Sequence, residues 1–248
     1  MITKEEEKLI LGGEATMWTE HVSAETFDSR VWPRTAAIAE RLWSPADVRD
    51  VEDMYRRLDG ISVYLESLGL THIKNRDMML RRLSGKEDVT SLSNLVQLLE
   101  PVQGYKRNRA DNFTRFSPYS LLADIAVPDQ KAVRLAKKQL MKNDSSNDDL
   151  QMIELETLFN SWKKDAMQVE LDIKNIPALK DFQPHANALA AIAELGLNAI
   201  NFKKSKQSQQ KFTAQQIEQI LKKANQEAGY CELKIVEPFR AFVMSVLK

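Results

Sequence analysis

From Val48 onward the apolar positions of the chain recur every three or four residues, the spacing that lines one face of a helix. Val48, Val51, Tyr55, Leu58, Ile61, Leu65 and Leu68 form the first such stripe. Ser44-Pro45 ahead of it offers an N-cap residue and an N1 proline, and Gly69 stands at its end, so one long amphipathic helix is predicted between them. Shorter stripes predict helices over about 75 to 84, ending on Gly85, over about 89 to 100, ending before Pro101, and from Pro128-Asp129 to about 142. Leu155, Leu158, Trp162, Ala166, Val169 and Ile173 mark a long helix, and Leu189, Ile192, Leu195 and Ala199 mark another after Pro177 and Pro184. Two long helices joined by so short a break predict an antiparallel hairpin. Thr213 with Gln216 three residues on is a capping box feeding Ile217, Ile220, Leu221 and Ala224, and a last helix carries Phe239, Phe242, Val243 and Val246. Two stretches lack the period: residues 101–118, with Pro101, Gly104 and Pro118, read as a long connection, and KKSKQSQQK at 203–211 as a solvated loop or frayed helix end.

Composition agrees with this pattern. Only eight glycines and eight prolines interrupt 248 residues rich in good helix formers, so the predicted class is mainly α, with a multi-helix, bundle-like domain over 71–248 and a separate piece over 1–70. Lysine plus arginine equal aspartate plus glutamate at 35 each, which gives no net field towards nucleic acid or an anionic membrane. A single cysteine, Cys231, excludes an internal disulfide and a thiolate zinc cluster, and it reads as a buried, inert thiol. His21, His72 and His185 have no acidic or cysteine partner at ligand spacing, so neither a metal nor another cofactor is expected. The start, MITKEEEKLI, is too charged for a secretory signal, and no apolar run has the roughly 20 residues that span a bilayer.

One stretch is unlike the rest. ILGGEATMWTE, residues 10–20, has an apolar start, two adjacent glycines and then acidic and aromatic residues. As a strand it would place Glu14, Thr16, Trp18 and Glu20 on one face. An indole and a carboxylate so placed can grip a sugar, the ring lying on the C–H face of a pyranose and the carboxylate accepting from its hydroxyls. On the pattern alone, a core tryptophan beside a solvated glutamate is the commoner arrangement.

The continuation adds specificity. LGGEATMWTEHV at 11–22 followed by WPRTAAIAERLWS at 32–44 closely resembles the last strand and last helix of the family 20 glycoside hydrolases of the β-N-acetylhexosaminidase type. SPADVRDVEDMYRRLDGISVYLESLGL resembles the segment that follows, so the likeness covers roughly the first 70 residues. LEPVQGYKRNR and FSPYSLLADIAVPD resemble, more loosely, a helical C-terminal extension found in some bacterial members.

The resemblance implies a (β/α)₈ barrel of which this chain holds only the terminal βα piece. It also implies release of terminal N-acetylhexosamine residues from glycans or chitin-like ends by a substrate-assisted, retaining mechanism. Family members use an aspartate and an adjacent glutamate, in a DE motif after the fourth strand. No Asp-Glu dipeptide in that order occurs here, so no catalytic residue is assigned and the chain alone is expected to be inactive. By position, Trp18 resembles the aromatic wall of the sugar site and Glu20 the carboxylate that holds hydroxyls on its C4/C6 side. Glu14, Arg34, Glu40 and Arg41 match positions whose simplest role is to tie the last helix to the barrel. The partners implied are a glycan ending in N-acetylhexosamine, the rest of the barrel and, failing that, a second copy of the chain; export of the parent enzyme is implied as well. Without parallel neighbours, residues 5–30 are expected to be irregular, helical or paired with another copy. The alternative is a helical module that binds protein or carbohydrate without catalysis.

Two further features have ready structural explanations. Tyr105 to Tyr119 interleaves Lys106, Arg107, Arg109 and Arg115 with Phe113, Phe116 and Tyr119, as a single-strand nucleic-acid groove would. The neutral chain favours aromatics that pin the connection down while the basic groups stay in water. Trp32, Trp43 and Trp162 lie in apolar helical patterns and read as core anchors.

Overall fold

A computed structural model describes residues 2–110, 113–114, 116–142, 148–205 and 212–246. The chain divides into two compact units, Met1–Asn75 and Arg76–Lys248.

The first unit opens on α1 (Lys4–Glu7), a single turn closed by a Thr3–Glu6 capping box. Residues 11–19 then form neither helix nor strand, and the alternation expected of residues 10–20 is broken where Thr19 and His21 take φ of 58° and 52°. A lone parallel strand has nothing with which to complete its ladder, and here the segment stays exposed in solvent from Ile2 to Glu20. Helices α2 (Phe27–Val31), α3 (Arg34–Trp43) and α4 (Val51–Ser67) follow.

The predicted start of α4 at Ser44-Pro45 is corrected by the structure. Arg41 turns its guanidinium onto the carbonyl oxygens of Ser44 at 3.1 Å, Pro45 at 2.7 Å and Val48, which holds residues 44–48 in a corner outside any helix. The helix begins where Asp50 can cap it, accepting from the Asp53 N–H at 3.0 Å. Among the described residues of this unit only Thr26 and Leu58 are buried. Trp32 is half-buried, whereas Trp43, expected in the core, is 92% exposed because no element of the unit covers the last turn of α3.

The second unit holds the core. It runs α5 (Lys74–Ser84), α6 (Thr90–Val96), β1 (Leu99–Pro101), α7 (Lys106–Ala110), α8 (Leu122–Ile125), α9 (Lys131–Leu140) and α10 (Asp148–Asn175). A 3₁₀ turn at Pro177–Phe182 leads to α11 (Gln183–Ser205), α12 (Ala214–Ala224), β2 (Cys231–Leu233) and α13 (Val236–Val246). α10 and α11 are the predicted antiparallel hairpin: Glu156 meets Lys204 at 2.5 Å, and Gly196 lies against the Phe159 ring. Phe159 stands within 5.7 Å of the ring centroids of Trp162, Phe239 and Phe242, so Trp162 is the core anchor its pattern suggested. The Thr213–Gln216 capping box opens α12. The polar tract at 203–211 lies largely outside the described residues.

Three local expectations differ from the structure. The helix over 89–100 stops at Val96; Pro101 biases the residue before it towards extended backbone, and buried Leu99 pairs with Leu233 in a two-stranded antiparallel sheet. Asp129 is left-handed, φ 59°, so α9 starts later, at Lys131. The connection over 101–118 contains a helix, α7, and its Arg107 is buried rather than in water. Arg107 pairs with buried Asp124, while the rings of Phe113, Tyr119 and Tyr230 lie 4.7, 6.0 and 5.7 Å from the guanidinium carbon. Lys106 pairs with Glu227, and Arg115 lies outside the described residues. Cys231 is buried.

Candidate sugar-binding segment

The residues singled out for sugar contact lie on the irregular segment of the first unit. Trp18 is 78% exposed and Glu20 is exposed, with the left-handed Thr19 between them. An exposed indole beside a carboxylate can stack and accept hydrogen bonds, but nothing in this unit fixes the orientation of either group. The segment passes close to α3 at Gly13, where a Cβ would come within 3.2 Å of the Leu42 side chain.

Behind this segment the charged positions are spent on scaffolding. Arg34 donates to the carbonyls of Ser29 at 2.9 Å and Arg30 at 2.6 Å, closing the end of α2. Glu40 on α3 takes two parallel bonds from Arg57 on α4, at 3.2 and 2.6 Å, and Arg57 also reaches Asp53. Arg57 holds the Glu40 carboxyl below its ordinary range. Arg41 makes the corner already described, and Glu14 is exposed. Asp28 on α2 accepts from the Thr71 N–H and hydroxyl at 2.7 and 3.0 Å, and Asn75 donates to the Glu25 carbonyl at 2.8 Å. His72 exchanges a bond with the Ser62 hydroxyl at 2.8 Å, and its partial burial lowers its pKa against the pull of Glu66 and Asp28.

Sequence reading missed Arg57 and Asp28 as the partners of this frame. Arg57 could have been found from its helical register, since Asp53 and Arg57 are i and i+4 on α4. Asp28 carried no local signal, because its partner Thr71 is distant in sequence. Among the described residues no group of three or more histidine, cysteine or carboxylate side chains is placed to hold a metal ion, and no helix is long and apolar enough to cross a membrane.

Residues 2–46 match the model for the glycosyl hydrolase family 20 catalytic domain. The chain is similar to the human beta-hexosaminidase subunit beta, 50% identical over 56 residues, which are 23% of this chain and 10% of that protein. It is also similar to the probable beta-hexosaminidase fdl of Drosophila melanogaster, 45% identical over 74 residues, 28% and 11% of the two chains. Among solved structures, the Flavobacterium johnsoniae chitobiase matches with a TM-score of 0.89 and 32% identity over 98% of this chain and 36% of that one. The chain thus spans about a tenth of the curated relatives it matches and about a third of the chitobiase. The match of residues 2–46, the similarity to the curated beta-hexosaminidases and the likeness of nearly the whole chain to part of a chitobiase together support a fragment of a family 20 glycosyl hydrolase.

Proposed function

We propose that this chain contributes one wall of the sugar site in a β-N-acetylhexosaminidase that removes terminal N-acetylhexosamine from glycans or chitin-like oligosaccharides. The match of residues 2–46 to the catalytic domain carries the reading. In it, the 2-acetamido oxygen of the substrate attacks the anomeric carbon while an aspartate steadies the acetamido group and a neighbouring glutamate protonates the leaving oxygen. Both carboxyls come from outside this sequence, which contains no Asp-Glu pair in that order. Trp18 lays its indole on the C–H face of the sugar, and Glu20 accepts from hydroxyls on the side away from the acetamido group.

The remaining strands of the barrel are the natural cover for the irregular segment. Pairing turns residues 10–20 into a strand and satisfies backbone groups that would each cost roughly 1 to 3 kcal/mol if buried unpaired. It also orients Trp18 and Glu20, which are exposed and unfixed here. The apolar side chains left open, Leu11 and Trp43 foremost, are suited to contact with those strands.

The experiment has two arms. The 248-residue chain, given a nitrophenyl N-acetylglucosaminide, releases no nitrophenol above a protein-free blank. The same segment, residues 2–46, grafted in place of its counterpart in the Flavobacterium johnsoniae chitobiase, supports turnover, and Trp18→Ala in the graft raises KM and lowers kcat/KM. Turnover by the chain alone, or a graft indifferent to Trp18→Ala, would overturn the reading.

A further inference from the structure

We propose that the helical unit carries a second saccharide site, a groove along α10 where it meets α6, for an uncharged oligosaccharide. A depression of about 830 Å³ opens there, within the range of ligand sites. The helical repeat sets two parallel stripes of α10 residues along it: Asn160, Lys164, Met167 and Leu171 in one, Ser161, Asp165, Gln168 and Asp172 in the other.

The second stripe is a fixed polar wall. The buried carboxylate of Asp165 receives the Ser91 hydroxyl at 2.8 Å and the Asn94 amide at 3.0 Å, both from α6. The buried carboxylate of Asp172 receives Lys86 Nζ at 2.5 Å and Gln168 Nε2 at 3.0 Å. Buried acids each held by two donors do not swing, so the amide and hydroxyl groups bonded to them are held in place too. The first stripe carries an apolar pair: Met167 and Leu171, one turn apart, are 55% and 52% exposed. A fixed row of donors and acceptors beside an exposed apolar pair offers a pyranose partners for its hydroxyls along one edge and a surface for its C–H face.

Charge argues for a neutral ligand. Lys86, Lys163 and Lys164 on the lining are balanced by Asp88, Asp165 and Asp172, so the groove has no net field to select an ion. Among the described residues, the side chains of Asn160 and Ser161 make no hydrogen bond, and Asn94 spends only one amide N–H, on Asp165. Asn94 also lines two adjoining depressions of about 310 and 370 Å³, so the groove continues on either side of it. From Ser161 to Asp172 the helix rises about 16 Å, room for a short oligosaccharide. The ligand class rests on this lining; only the choice of an N-acetylglucosamine probe rests on the function proposed above.

Triacetylchitotriose is titrated into the ¹⁵N-labelled 248-residue chain. The side-chain amides of Asn94, Asn160 and Gln168 are expected to shift and saturate. Ser161→Trp, at an exposed position, fills the groove and is expected to weaken binding at least about tenfold with an unchanged melting temperature. Trp18→Ala leaves the binding intact. Saturation of the same amides by cellotriose instead would still support a neutral-saccharide groove. No saturable shift with either sugar, or a shift insensitive to Ser161→Trp, would overturn the proposal. A shift lost in Trp18→Ala and kept in Ser161→Trp would overturn it too, while supporting the sugar contact proposed for the first unit.

Discussion

Arg107 and Asp124 meet fork to fork inside the helical unit, joined by two N–H···O bonds of 2.7 and 3.1 Å, and both side chains are almost wholly withdrawn from water. Asp124 also accepts from the Leu121 N–H at 2.9 Å, so the pair fixes the start of α8 as well as the aromatic-rich connection. Removing one partner strands the other charge in a dry site. Asp124→Ala is therefore expected to lower the urea-unfolding free energy by about 3 to 5 kcal/mol, and the double variant Arg107→Met/Asp124→Leu by clearly less than two single losses. Additive losses would show that the two groups do not act as a pair.

Gly196 on α11 packs directly under the Phe159 ring of α10. A Cβ there would lie 2.6 Å from the Phe159 ring, a distance no real contact tolerates. Gly196→Ala gains up to about 1 kcal/mol in helix propensity, yet it is expected to destabilise the unit by about 1 to 3 kcal/mol net through overpacking. Phe159→Leu should rescue much of that loss by removing ring atoms from the clash. A lower melting temperature for Gly196→Ala, partly restored in the double variant, checks both statements.

His185 is buried and its Nε2–H donates to the Ala228 carbonyl at 2.9 Å. Burial pushes its pKa below the ordinary 6.5, the bond to Ala228 opposing in part. The unfolded chain then binds a proton that the folded chain refuses. Stability attached to His185 is full above pH about 6.5 and is lost as pH falls towards the lower folded-state value. Melting temperatures between pH 7.5 and 5.5 are expected to fall, and His185→Gln, which can still donate to Ala228, should flatten the slope.

Leu11 is fully exposed and Trp43 nearly so, on a unit with very few buried side chains. Sedimentation velocity is expected to show association that grows with concentration, and Leu11→Ser with Trp43→Gln should reduce it. Monodisperse behaviour of the parent chain at high concentration would argue against these side chains as contact points.

The helices were legible because their period and their end signals agreed, as at Thr213–Gln216 and across the α10–α11 hairpin. Where two signals competed, the local one lost. Ser44-Pro45 has the chemistry of a helix start, but Arg41 claims the carbonyls around it and Asp50 caps instead. Leu99 continues a helical stripe, but its pairing with Leu233 draws it into a strand. Arg107 looked like a solvated charge because Asp124, Phe113 and Tyr230 come from three different stretches of sequence. Trp18 and Glu20 were singled out by motif alone, and their alternation was not realised because a strand's geometry depends on neighbours that no spacing encodes. The wall of Asp165 and Asp172 escaped notice for the opposite reason: on a single helix such residues look like a solvated face, and only the donors on α6 and at Lys86 reveal them as buried.

The three-residue pairing of β1 with β2 is the smallest element of the fold, yet it joins positions about 130 residues apart in sequence. Closing so long a loop late is entropically cheaper than closing it early, so the hairpin of α10 and α11 should form before the strands zip. The zip then acts as a latch on completion. Cutting away β2 together with α13 would leave Leu99 without its partner and return β1 to the pool of segments able to pair with another chain, so a chain lacking Cys231–Val246 is expected to aggregate more readily.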